Sequence, residues 1–320
     1  MDILRTKKYR NLNKKNEKND KNNKTRNLKT MNCSPIVKNK TIKNNSCYTP
    51  EVLIHIKNAY NDSHESNKIL IEDPQELWNE LNKRLTHCEK EDCWLEEIKD
   101  KKLKNDIDKY IFAPDYPKLW DKNPNEWLSN FDILDVLKQY QKKYPNFIFL
   151  GPSSINFDEK VKEYNGECVE KDLCTFSLEN TIHSKKNKIG IIFNLSRHDR
   201  VGSHWVSLFI DVQNKFIFYF DSNGEPIPKE IEIFKDRIVK EGKTLNPPIH
   251  FNYFDNYNKE HQKGNTECGM YSLFFIITML TNSTEFKKKM SLKDKLSLFK
   301  KKRIPDKYVE KYRKIYFNSS

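Results

Sequence analysis

The chain has 320 residues, 32% of them charged and 12% aromatic, with a net charge of +13 and only eight glycines. That is long enough for one large domain or two small ones around a real core. Its longest apolar run, Met270 to Leu280, is too short to span a bilayer, and no apolar h-region stands at the N-terminus, so neither a membrane protein nor a secreted one is expected.

The charge is concentrated at the start. Residues 1–30 carry eleven Lys or Arg against three acids, a net +8, among many Asn and few large apolar residues. Such a segment cannot repay the entropy of ordering, and a flexible tail is expected over residues 1–50. Two readings of it stay open: contact with DNA or another polyanion through counterion release, or a solvated segment whose Lys and Asn content reflects the base composition of its gene. The seven cysteines (33, 47, 88, 93, 168, 174 and 268) form an odd set without framework spacing. Mostly free thiols in a reducing, intracellular setting are expected, with no bound metal, because neither Cys88–Cys93 nor Cys168–Cys174 has C-x2-C spacing.

Residues 51–124 read as a helical accessory region. Pro74-Gln75-Glu76-Leu77-Trp78 is followed by Leu81 and Leu85 at helical steps, then by Trp94, Leu95, Ile98 and Leu103. Aromatics and prolines from Phe112 to Pro124 make a connector. Residues 125–320 read as a separate α+β domain. Ser129, Asn130 and Asp132 are capping types ahead of the stripe Ile133, Val136, Leu137 and Tyr140, which predicts a helix ending before Pro145. Strands are predicted at Phe147–Leu150, Ile189–Leu195, His204–Val212, Lys215–Phe220 and Ile249–Phe254. The third and fourth form a hairpin about a two-residue turn, Gln213-Asn214. A helix is predicted from Pro228 to Lys240, and Met270–Leu280, apolar on nearly every face, predicts a central buried helix. The Lys-rich stretch 284–320, interleaved with Phe286, Met290, Leu296 and Phe299, reads as one or two surface helices.

Four residues then fall into chemical roles. Cys268 opens the buried helix, where the macrodipole favours a thiolate over a thiol. His204 heads a strand and Asp221 ends its hairpin partner; antiparallel pairing makes them neighbours, so the carboxylate can orient the imidazole. Gln262, six residues before Cys268, can donate its amide to a developing oxyanion, a contribution of about 3 kcal/mol. Gly269 is read as an opening for the substrate backbone. His198 rivals His204 but lies in a charged loop. A nucleophile, a base, an orienting acid and an oxyanion donor together point to a cysteine peptidase that needs no cofactor.

This set, His204-Trp205, Asp221, and Gln262 ahead of Cys268-Gly269, resembles the superfamily of adenovirus proteases and ubiquitin-like-protein (SUMO) proteases. The segment Trp127-Leu128-Ser129-Asn130 with its following helix is similar to that superfamily's substrate-side element. Asn130-Phe131-Asp132-Ile133, the strand–proline stretch through Phe157, and His261-Gln262 through Thr266-Glu267-Cys268-Gly269 are most similar to the African swine fever virus type of polyprotein-processing cysteine protease, the resemblance covering residues 125–282. The resemblance implies a papain-like α+β fold and cleavage after Gly-Gly-X, with Trp127 and Trp205 lining a channel that admits only glycine. It implies structural polyprotein substrates matured in the virion or viral factory, and a monomeric enzyme. Deconjugation of a ubiquitin-like modifier, or a non-catalytic nucleic-acid-binding particle component, are the alternatives. The chain itself contains no Gly-Gly, so self-cleavage at such a site is not expected.

Overall fold

The structure is a computed structural model that describes residues 26–43 and 45–319. Two compact units divide it. One ends at Ile111; the other begins at Phe112 and takes in residues 34–36.

The first unit is helical: α1 (Pro50–Ser63), α2 (Pro74–Arg84) and α3 (Lys101–Ile111). Proline occupies the first position of α1 and α2, where its missing N–H costs nothing, and Asp73 caps α2 by accepting from Gln75 and Glu76. Buried Glu91 organises the centre, accepting from the Cys47 amide at 2.8 Å and the Trp78 indole at 2.7 Å.

Two expectations are corrected here. The flexible tail does not extend to residue 50: Val37, Cys47 and Tyr48 are buried, and Tyr48 stacks on Trp94. A few anchors and one shared carboxylate outweigh a polar composition. The basic run before residue 26 lies outside the described residues. Nor are the thiols mostly free, since Cys33–Cys47, Cys88–Cys93 and Cys168–Cys174 are disulfides and Cys268 is the free cysteine among the described residues. Their spacing matches no framework because each bridge is local, closing 14, 5 and 6 positions of sequence. His87 brings its ring within 4.8 Å of Cys88 and Cys93, but those two sulfurs are spent on each other.

The second unit opens at Phe112, so the Phe112–Pro124 connector belongs to it and the helical region is shorter than expected. Then come α4 (Asn130–Lys143), β1 (Phe147–Ser154), α5 (Leu178–His183), β2 (Lys188–Asn194), β3 (Trp205–Asp211), β4 (Phe216–Phe220), α6 (Lys229–Thr244), β5 (Asn252–Asp255) and α7 (Cys268–Thr281). Ser129 and Asp132 form the capping box that starts α4. The five strands lie in sequence order; β1–β2 and β4–β5 pair parallel, β2–β3 and β3–β4 antiparallel, so the sheet is mixed.

Alternation along the strands builds two cores. Trp205, Phe209, Phe216, Phe218 and Phe220 face α7 and α4, whereas Val206, Leu208, Ile210, Ile217 and Tyr219 face α5 and α6. Helix α7 is buried from Cys268 to Leu280, as its all-round apolarity predicts. Gly190 allows it close to the sheet, since a Cβ there would sit 3.0 Å from Ile276.

Two local predictions change. Asp211 pairs with Phe216, so the hairpin link is residues 212–215, not two residues. Asp211 accepts from the Asn214 amide at 2.9 Å and Lys215 adopts φ 55°, a four-residue solution. The C-terminal stretch is also not a pair of surface helices: Phe299, Ile304, Val309 and Tyr312 enter the core behind α7. Its short helical pieces, Leu292–Leu296, Asp306–Glu310 and Arg313–Tyr316, follow the shape of that core instead of one helical period.

Candidate active site

Cys268 is the first residue of α7, and Glu267 occupies the N-cap without a side-chain capping bond. The opening amides of a helix have no intrahelical acceptor and carry its positive dipole end. The sulfur is shielded, with Cys268 only 1% exposed.

His204 precedes β3 directly and Asp221 follows β4 directly, so strand pairing sets their distance: Nε2 of His204 lies 2.6 Å from Oδ1 of Asp221. The same ring also interacts with Cys268. Burial alone would lower the imidazole's proton affinity; Asp221 and Cys268 outweigh it and raise its pKa from 6.5 to about 9. A protonated ring at neutral pH, between a carboxylate and a sulfur, is what a thiolate–imidazolium pair requires. His198, the rival base, is held elsewhere, 2.9 Å from the side-chain amide of Asn156.

Asp221 is itself anchored by a residue the sequence reading missed. Asn256, buried, accepts from the Asp221 amide at 2.9 Å and donates to its carbonyl at 2.6 Å. The carboxylate also accepts from the amides of Asn223 and Glu225 at 2.9 and 3.3 Å, so the predicted turn-capping and orienting roles coexist.

Gln262 is brought to the same place by Ser222, a second residue the sequence did not single out. The Ser222 hydroxyl donates to Oε1 of Gln262 at 2.9 Å, and its carbonyl accepts from the amides of His261 and Gln262 at 2.8 and 3.0 Å. Nε2 of Gln262 donates one hydrogen to the Gly264 carbonyl at 2.9 Å, so the amide's oxygen end and donor end are fixed. Gly224 makes the crossing possible. It has φ 74°, and a Cβ there would lie 2.6 Å from the Lys259 carbonyl carbon. An open polar hollow of about 580 Å³ abuts Gln262, between Asn223, Glu225, Tyr257 and Lys263.

The substrate-side predictions fare unevenly. Trp127 is half-buried and keeps surface for contact. Trp205 is 7% exposed and donates its indole N–H to the Leu128 carbonyl at 3.1 Å, which ties the segment before α4 to β3. Gly269 is not an opening for substrate. It is buried, and a Cβ there would meet Leu128 at 3.1 Å and Trp205 at 3.3 Å. Its small size serves the packing of these two side chains against α7.

With the geometry in place, comparison with known proteins is decisive. Residues 154–317, just over half the chain, match the Ulp1 protease family, C-terminal catalytic domain. The chain belongs to the Ulp1 protease family. Its catalytic domain is accordingly of the cysteine-protease class. Within that family setting, the chain is 35% identical over 162 residues to a protein of Acanthamoeba polyphaga mimivirus named as a thiol protease, covering 49% of this chain and 48% of that one. It is 27% identical over 172 residues to the SUMO-1 cysteine protease of African swine fever virus, covering 50% of this chain and 60% of the other. The chain thus spans about half the length of these relatives. The crystal structure of the African swine fever virus protease shares the fold, with a TM-score of 0.62 at 20% identity over 92% of this chain and 98% of that one. The expected α+β protease fold, with a mixed sheet and a buried helix that begins at Cys268, is the fold observed.

Proposed function

We propose that this protein is a viral cysteine endopeptidase that processes structural polyprotein precursors after Gly-Gly-X sites during particle maturation. The observation that carries the reading is the interaction of His204 with Cys268 while its ring lies 2.6 Å from Asp221, with Gln262 bonded to Ser222, the residue that follows Asp221. In this mechanism the Cys268 thiolate attacks the scissile carbonyl carbon, that of X in Gly-Gly-X, to form a tetrahedral intermediate. The oxyanion is received by the Cys268 amide and by the second hydrogen on Nε2 of Gln262. His204 passes its proton to the leaving amine, and the amine departs. The neutral ring then takes a proton from water, which attacks the thioester and regenerates the thiolate. Asp221 holds the ring and stabilises its charged form throughout.

Processing of polyproteins is favoured over deconjugation by Asn130-Phe131-Asp132-Ile133, the strand–proline stretch through Phe157 and the string from His261 to Gly269, which resemble the swine fever type of polyprotein-processing protease. The rival reading is supported by that relative's name, SUMO-1 cysteine protease. A panel of short peptides with varied residues before the scissile bond separates them. Cleavage after Gly-Gly-X by the wild type, lost in C268A with an unchanged melting curve, supports the proposal. Cleavage unaffected by C268A overturns it. Selective covalent capture of a ubiquitin-like modifier bearing a C-terminal electrophile, without peptide cleavage, gives the site to deconjugation.

A further inference from the structure

The C-terminal stretch does more than fill the core behind α7. It meets the segment from His261 to Tyr271 at successive points. The Phe299 carbonyl accepts from Nε2 of His261 at 2.8 Å, and the Ile304 amide donates to Nδ1 of the same ring at 3.0 Å. Burial lowers the pKa of His261 to about 4, so the ring stays neutral and serves one donor and one acceptor. Asp306 accepts from the amides of Lys263 and Gly264 at 3.1 and 3.3 Å, and from the Tyr271 hydroxyl at 2.9 Å.

The last of these contacts falls on Glu267, the residue before Cys268. Arg313 grips Glu267 with two bonds, Nε to Oε2 at 3.1 Å and Nη2 to Oε1 at 2.9 Å, with side chains 7% and 3% exposed. Nη1 of Arg313 donates to the Glu126 carbonyl at 3.0 Å, and the guanidinium lies 4.2 Å over the Trp120 ring. The fork is therefore fixed by groups other than the carboxylate it holds.

Glu267 is the N-cap of the helix whose first residue is Cys268, yet its side chain makes no capping bond. A carboxylate beside a helix start is attracted to the free amides and positive dipole end of the first turn. Here that would cover donors the oxyanion needs, and it would place a negative charge against the thiolate. We propose that Arg313 is a positioning residue of the active site, holding the Glu267 carboxylate away from the open end of the Cys268 helix and neutralising it. This rests on the reading of Cys268 as the nucleophile. The charged groups facing the pair and the sulfur are few: His204 and Asp221 on the strand side, Glu310 on the C-terminal side of Glu267, and Asp306 with Arg303 around Tyr271. Thr266 adds a hydroxyl bond to Glu267 at 3.3 Å.

The test reads thiol ionisation directly, as the pH midpoint of iodoacetamide alkylation at Cys268 resolved by peptide mass spectrometry in the full chain, beside kcat and KM on a cleaved peptide. R313M, which leaves the carboxylate unneutralised, is expected to raise the midpoint by about one pH unit. It should lower kcat about tenfold with KM within about twofold. R313K, which keeps the charge, is expected to restore most of the midpoint. E267Q should move it downward, and E267Q/R313M should return it towards wild type. Should R313M fail to fold, E267Q carries the same test. A midpoint unmoved in every variant that folds would overturn the proposal, including the case where activity falls only in step with the melting temperature. Wild-type protein that cleaves no peptide would count against the protease reading separately, because the midpoints are read without turnover.

Discussion

His204 and Asp221 lie 17 positions apart in sequence and 2.6 Å apart in space, joined because one precedes β3 and the other follows β4. The pair sets a pH dependence. An imidazole raised from 6.5 to about 9 in the folded protein binds its proton more tightly there than in the unfolded chain. The resulting stability is complete below 6.5 and is lost as pH rises through about 9. Activity that needs the imidazolium should decline over the same alkaline limb. D221N removes the carboxylate and should move that limb down by roughly one to two pH units. It should also flatten the fall in melting temperature between neutral and alkaline pH. Rate profiles and melting curves recorded across that range check both effects.

The Ser222–Gln262 bond makes a graded prediction about the oxyanion. Q262A should lower kcat by about 10²- to 10³-fold with little change in KM, the usual effect of removing one such donor. S222A leaves the amide in place but releases its oxygen end. A smaller loss, about tenfold, is expected, again in kcat. If S222A were to change KM alone, the serine would be contacting substrate and not orienting the glutamine.

Gly224 should be intolerant of any side chain. Its φ of 74° disfavours L-residues, and the backbone at Lys259 and Glu260 occupies the space a Cβ would need. G224A is expected to destabilise the protein by about 1–3 kcal/mol and to reduce activity beyond that loss, since the same crossing carries Ser222 and Gln262. Differential scanning calorimetry alongside peptide cleavage separates the two effects.

Trp205 and Gly269 test the packing around the helix start. W205F keeps an aromatic ring but removes the N–H that the Leu128 carbonyl accepts, a loss of about 1 kcal/mol. G269A pushes a methyl against Leu128 and Trp205 and should cost about 1–3 kcal/mol. Had Gly269 served the substrate, G269A would raise KM without touching the melting temperature. The structure predicts a lowered melting temperature.

Much of this protein was readable from residue order alone, where a local rule ties sequence to shape. The period of two in Trp205–Phe220 and the all-round apolarity of Met270–Leu280 specify a buried hairpin and a buried helix. A hairpin by itself makes His204 and Asp221 neighbours, and a polar loop running into an apolar helix by itself places Cys268 at a helix start. What lay beyond reach was every contact made across long stretches of chain with no periodic signature. Asn256 behind Asp221, Ser222 behind Gln262, and Arg313 behind Glu267 each depend on where the whole chain returns. Gly269 shows the same limit from the other side: a glycine beside a nucleophile looks like room for substrate until Leu128 and Trp205 are seen to fill it. Composition likewise concealed the order in residues 45–50, because averages over Lys and Asn cannot register one tyrosine stacked on a distant tryptophan. Local geometry follows from the backbone's few allowed states, whereas the clamps on the site exist only once the core has brought distant segments together.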